Sequence, residues 1–277
     1  MLLGYQTNGL QNHRLADALQ LLAEHGYRAV GITPDTCHLD PAQTSDADLA
    51  AVARQLRDLD LAPVVETGAR FLLDPRHKHE PTLMTVDRTA RARRLDFYSR
   101  SAAMAVRLGA SVVSFWTGID RAPGDDSFDR VLAGVRDACA RIRAEGAVPS
   151  LEPEPGMAVA TVAGWRRVQA ALGREAPRLT LDIGHLCVEW EGEPAAVVAG
   201  VAGELAQVHL EDMRRGIHEH LLPGTGEVDF QAVLTALRKA AYRGPVCFEL
   251  SRASHQAPTA VAACAELWQR CLGDGRR

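Results

Sequence analysis

Eight times along this chain a short apolar run is followed by a longer segment with apolar residues at helical spacing. Such alternation predicts parallel strands joined by crossover helices. The strands read as residues 2–8, Arg28 to Thr33, Leu61 to Glu66, Ala110 to Trp116, Ala147 to Glu152, Leu179 to Ile183, Leu205 to Leu210 and Val246 to Leu250. Leu15, Ala18, Leu19, Leu22 and Ala23 mark one face of the first helix, which runs to His25 before Gly26 stops it. Ser45 suits the N-cap of a helix to about Leu59. Further helices are expected at Val86 to Leu108, from Asp126 or Ser127 to near Gly146, and at Val162 to Leu172. Three more follow: one after a loop with Trp190 and WEGEP, one from about Asp229, and one at Ala257 to Cys271, before a frayed GDGRR tail.

Eight units favour a closed α/β fold, a single (β/α)8 TIM barrel over residues 1–277. Such barrels usually run to about 250 residues. The open, doubly wound alternative usually carries a Gly-rich phosphate turn after strand one. Here that turn is GYQTNGL, with no GxGxxG. A hydrophobic fraction of 47% supplies a large core, and a net charge of -4 leaves no electrostatic footprint for nucleic acid or an anionic membrane. No apolar run approaches the roughly 20 residues of a membrane span, and MLLGYQTNGL is no signal peptide. The six cysteines form no CxxC pair, and Cys139, Cys247 and Cys264 fall on apolar segments as buried thiols. Together these predict a cytoplasmic protein with reduced cysteines.

Chemistry concentrates where strands end. LEPEPG closes strand five at Glu152, LTLDIGHLC closes strand six at Asp182 with His185 beyond, and VCFELSRASH closes strand eight at Glu249. Strand seven delivers His209 and then a polar loop, EDMRRGIHEH, ended by Pro223, Gly224 and Gly226. In a parallel barrel those ends converge on one face. Each residue alone is explained by an N-cap or a satisfied polar group. Glu152, Asp182, His209 and Glu249 together read as an oxygen-rich ligand set for one divalent ion, Mn²⁺, Mg²⁺ or Co²⁺ rather than structural Zn²⁺. Such an ion could act as a Lewis acid on an enediolate, with two of the carboxylates moving protons. Glu154 rivals Glu152, from which it stands two residues away. His185 is a further ligand or a substrate contact. His218 and His220 point the same way in an extended segment, as a second metal site, substrate contacts or plain loop residues. Glu66 could bind a substrate hydroxyl or pair with Arg70. Arg70, Arg76 and Lys78 could hold a phosphate or sit in a solvated loop, and Phe71, Trp116 and Trp190 could pack on a sugar ring or fill core.

At LEPEPG, LDIGH, VHLED with its PG turn, and FEL, the chain resembles the xylose-isomerase-like TIM-barrel superfamily along nearly its whole length. That superfamily includes sugar phosphate isomerases and epimerases, inosose dehydratase and the AP-endonuclease relatives. The resemblance implies that Glu152, Asp182, His209 and Glu249 hold the metal and that Glu152 and Glu249 are the proton-transfer pair. It implies that His185 binds substrate and that Arg215 matches an epimerase arginine, though with loose spacing. Gly216 stands where the three-metal DNA-repair members have an aspartate, and HEH and the strand-three loop match no simple ketose epimerase. The implied function is a divalent-metal-dependent isomerase or epimerase of a small sugar, cyclitol or sugar phosphate. The alternatives are a lyase of the inosose-dehydratase type, an AP-endonuclease-like metallohydrolase and a metal-binding barrel without catalysis. A homo-oligomer would follow the family's habit.

Overall fold

The computed structural model describes residues 1–273. Of the frayed tail expected from Gly273, residues 274–277 lie outside the described residues, and Gly273 closes the last helix. Eight parallel strands close a barrel: β1 (Leu2–Gln6), β2 (Ala29–Ile32), β3 (Ala62–Glu66), β4 (Val112–Phe115), β5 (Val148–Leu151), β6 (Arg178–Asp182), β7 (Leu205–Leu210) and β10 (Pro245–Phe248). Around the barrel the order is β1-β10-β7-β6-β5-β4-β3-β2. Two short strands, β8 (Asp212–Arg214) and β9 (Ile217–Leu221), form a separate antiparallel pair.

The residues pack as two compact units. One comprises residues 1–31, 55–62 and the chain from Thr180 onward. Here β1 pairs with β10 and β2, and β10 pairs with β7, in a register that sets Gly4 beside Cys247 and Cys247 beside His209. Gly4 is needed, because a Cβ there would lie 2.5 Å from the Cys247 sulfur. Helix α1 (Leu15–Glu24) buries Leu15, Ala18, Leu19 and Leu22, the predicted face. The buried Tyr27 donates to the Val261 carbonyl at 2.9 Å, tying the last helix (Ala257–Gly273) to the start of β2.

The other unit comprises residues 32–54 and 63–179. There β4 pairs with β3 and β5, and β5 with the first residues of β6. Its helix over Arg88–Leu108 starts on Asp87, which accepts from the Ala90 N–H at 2.7 Å, and stops at Gly109 in the left-handed region. The buried Arg94 on that helix donates to the carbonyls of Pro81 (2.7 Å), Thr67 (3.2 Å) and His79. A fully buried guanidinium survives because those carbonyls replace its water.

Three local expectations are corrected. Strand one ends at Gln6, and Thr7–Gly9 form a 3-10 turn. Ile183–Glu189, expected as the last residue of strand six and then loop, is a helix that starts directly on β6, with Asp182 as its N-cap. Seven residues are too few for a helical period to be visible in sequence. The polar segment after β7, also expected as loop, is the β8–β9 hairpin. Its turn is Arg215–Gly216, with Gly216 at φ 71°. That turn lacks the usual Asn-Gly signal, and its strands are charged rather than β-branched.

Candidate metal centre

Within the first unit, three neighbouring barrel strands deliver three ligand-bearing side chains. Asp182 is the last residue of β6, His209 the penultimate residue of β7, and Glu249 the first residue after β10. One ligand atom from each lies within 4.8 Å of the others. His209 is fully buried, and its Nδ1 is 3.0 Å from Glu249 Oε2. Asp182 Oδ1 accepts from the His185 backbone N–H at 2.9 Å, which fixes the carboxylate while capping the helix. Its Oδ2 is buried with no hydrogen-bond partner.

A third carboxyl joins them. Glu211, fully buried just after β7, offers an oxygen within 4.8 Å of ligand atoms of Asp182 and His185, and neither of its oxygens has a hydrogen-bond partner. Burial, then the charges of Asp182 and Glu249, pushes Glu211 well above the usual carboxylate range. Burial pushes Asp182 up as well, but His185 pulls it down, and the balance of Glu249, His209 and Glu211 leaves it below its ordinary value. Burial also works against the Glu249 carboxylate, but hydrogen bonding to His209 and the nearby imidazoles hold it far below the usual range. Buried anions and orphaned oxygens gathered at one point are costly unless a cation shares the space. The donor set therefore fits a divalent ion, with more oxygen than nitrogen.

The hairpin walls this cluster with histidines. His218 and His220 are two apart on β9, so the extended strand places both rings on one side, as expected. The His218 ring stands edge-on to His185 at 5.0 Å and lies 5.2 Å from His220, whose Nδ1 is 3.8 Å from Glu211 Oε1. Burial, followed by His185 and His220, pushes His218 down to about 4, and burial lowers His220 too. Both rings are neutral at pH 7. Asp212 anchors the hairpin's exit: it accepts from the N–H groups of Gly224 and Gly226 at 2.8 Å and of Val228 at 3.0 Å. A Cβ on Gly226 would meet Asp212 at 2.3 Å, so the glycine serves the turn.

The end of β1 supports the ligands from behind. The Gln6 amide lies 2.7 Å from His209 Nε2, and Asn8 Nδ2 donates to Glu249 Oε1 at 2.9 Å. Arg215 stands apart from the cluster, exposed at the hairpin turn with its guanidinium 3.8 Å from the Trp190 ring centroid.

In the second unit, Glu152 directly follows β5 and is 3% exposed, with its N–H on the Phe115 carbonyl at 2.9 Å. Glu154 is more open to solvent. Glu66 ends β3, buried, and accepts from Thr33 Oγ1 at 3.0 Å. Trp116 is buried under the Arg94 guanidinium, 4.8 Å from its ring centroid, with His79 edge-on at 5.2 Å. Arg70 pairs with Asp35 at 3.2 Å.

A family profile described as xylose isomerase-like TIM barrel matches residues 19–271. The chain belongs to that family. It is 25% identical over 221 residues to the L-ribulose 3-epimerase of Mesorhizobium japonicum, covering 76% of this chain and 68% of that protein. It is 24% identical over 234 residues to the L-ribulose-5-phosphate 3-epimerase of Salmonella paratyphi C, covering 81% and 80%. A solved D-allulose 3-epimerase from Methylomonas sp. superposes with a TM-score of 0.78 at 18% identity, over 98% of both chains. A solved L-ribulose 3-epimerase gives 0.78 at 19%, over 100% of this chain and 96% of that one. At such identities the solved structures establish the fold alone. Among the described residues, no helix of this family member is long and apolar enough to cross a membrane.

Sequence reading did not single out Gln6 or Asn8 as site residues, and took Glu211 only as one of several potential ligands in the loop after strand seven. A signal existed for each, because all three sit at or just beyond a strand's C-terminal end, where this family's chemistry gathers.

Proposed function

We propose that this chain is a divalent-metal-dependent epimerase of a small ketose or ketose phosphate, working as one barrel domain in the cytoplasm. The observation that carries the reading is the Asp182–His209–Glu249 cluster, with its orphaned Asp182 oxygen, in a chain whose sequence relatives are 3-epimerases of L-ribulose and its 5-phosphate. Glu152 is the fourth ligand on this reading. It is buried and ends the strand next to β6 in the barrel order, whereas Glu154 is more exposed. The oxygen-rich set favours Mn²⁺, Mg²⁺ or Co²⁺ over Zn²⁺. When bound, such an ion supplies Lewis-acid polarisation of the substrate's carbonyl and so acidifies the neighbouring C–H.

The chain's own residues then divide the work. Glu152 and Glu249 are the proton-transfer pair: one takes the proton from the carbon next to the carbonyl, and the other returns one to the opposite face. Asn8 holds Glu249 by one oxygen and leaves its other oxygen turned toward the cluster. His185, and the neutral His218 and His220, offer donors and acceptors to substrate hydroxyls. Glu66, Trp116 and Arg215 complete the substrate contacts on this reading, and Arg215 must leave the Trp190 ring to do so. A lyase of the inosose-dehydratase type begins with the same proton removal, but the sequence relatives favour epimerisation.

The test is proton exchange. Protein loaded with Mn²⁺ should exchange the C3 hydrogen of ketopentoses, ketohexoses or their phosphates with deuterated water and form the 3-epimer. Metal analysis should give one ion per chain. Loaded protein that exchanges no ketose hydrogen refutes the epimerase, and release of water from a cyclitol ketone would install the lyase in its place.

A further inference from the structure

The geometry points to Gln6 as a positioning residue that sets which nitrogen of His209 is free for a metal, by turning its side-chain amide over when the ion binds. This rests on the reading of Asp182, His209 and Glu249 as metal ligands.

A neutral imidazole has one N–H donor and one bare acceptor nitrogen. The His209 ring is fully buried between two partners: Nδ1 faces Glu249 Oε2 at 3.0 Å, and Nε2 faces the Gln6 amide nitrogen at 2.7 Å. A carboxylate only accepts, so Nδ1 carries the hydrogen in this arrangement. Nε2 is then the acceptor, and the Gln6 NH₂ donates to it. Nδ1, which faces the proposed ligand Glu249, is therefore the nitrogen placed to bind an ion, because Nε2 is taken up by Gln6. For Nδ1 to bind an ion it must give up its hydrogen, and the neutral ring then carries it on Nε2. Nε2–H needs an acceptor in the place where the amide now presents a donor.

Gln6 can supply one without moving its backbone. Its Oε1 is buried and has no hydrogen-bond partner. A half turn of the terminal amide exchanges Oε1 for Nε2 at the imidazole. The space for this is made by Gly31 on β2, where a Cβ would stand 1.7 Å from Gln6 Oε1. No other side chain of this length serves both states. Leucine or methionine serves neither. Glutamate serves only the metal-bound state, and would bring a second carboxylate to the His209 ring, which already faces Glu249.

The experiment reads the ring directly. Protein labelled with ¹⁵N-histidine is stripped with chelator and then titrated with diamagnetic Mg²⁺, the His209 signal being assigned by its loss in His209→Asn. In wild type the ring should pass from the Nδ1–H to the Nε2–H form as Mg²⁺ binds. Affinity for Mn²⁺ is measured separately by competition with a fluorescent chelator. Gln6→Leu should weaken Mn²⁺ about 10–100-fold, the usual effect of removing a ligand histidine's outer partner. Gln6→Glu should bind at least as tightly as wild type and show Nε2–H even without metal. Gln6→Leu within about twofold of wild type overturns the proposal. So does a wild-type ring that keeps one form throughout, a result that needs no variant to fold. Wild type that binds neither ion overturns the metal reading itself, and is told apart because the affinity fails before any variant is compared.

Discussion

Glu211→Gln should remove one source of pH sensitivity from the core. Glu211 is fully buried, and burial and the charges of Asp182 and Glu249 oppose its ionisation. Its folded value therefore lies above its unfolded one. The stability this contributes is complete below about pH 4.5, the unfolded value, and is lost as pH rises toward the folded value. Where only the unfolded chain has released this proton, the loss is about 1.4 kcal/mol per pH unit. Glutamine matches the shape of the protonated acid and does not titrate, so the close fit against Gly184 is kept. His218 and His220, whose folded values are lowered, add stability as pH rises toward their unfolded values, but they do so in both proteins and cancel in the difference. In metal-free protein the variant should therefore gain on wild type as pH rises from 5 to 7, at up to about 1.4 kcal/mol per unit. Urea unfolding in chelator at pH 5, 6 and 7 measures it. A difference that stays flat to within about 0.5 kcal/mol would mean that Glu211 ionises inside the fold, and the reasoning would be refuted.

Asp182→Ala should abolish the metal's stabilising effect, which in wild type is worth about 2.7 kcal/mol at an ion concentration 100 times Kd; melts with and without chelator should then coincide in the variant alone. Glu152→Gln and Glu249→Gln each keep a coordinating oxygen and should retain much of the Mn²⁺ binding while turnover falls about 10²–10⁴-fold, with one of the two still exchanging substrate hydrogen with deuterated water. Asp212→Ala strands the N–H groups of Gly224, Gly226 and Val228 and should cost about 2–4 kcal/mol; faster hydrogen exchange at those three amides would locate the loss, and unchanged exchange would deny Asp212 its anchoring role.

The barrel was legible because its strands are apolar runs divided by amphipathic helices, a pattern written locally along the chain. The placement of Asp182, His209 and Glu249 at strand ends was legible for a related reason: a polar residue closing an apolar run sits where the strand leaves the core. The hairpin was not, because His218 and His220 occupy strand positions for what they face, and nothing in IHEHL advertises a strand. Gln6 was hidden more deeply. Its partner is 203 residues away, and a polar residue at a strand end usually means a cap or a turn. What brings the two together is the register of β1, β10 and β7, which places Gly4 beside Cys247 and Cys247 beside His209. Gly4 and Gly31 lie inside apolar strands, where a missing side chain ordinarily weakens packing. Gly4 instead leaves room for the Cys247 sulfur and so lets β1 lie close to β10, while Gly31 opens the space into which the Gln6 amide reaches. A glycine inside a strand can therefore carry information about a polar group on a different strand, and that information becomes readable only once the pairing is known.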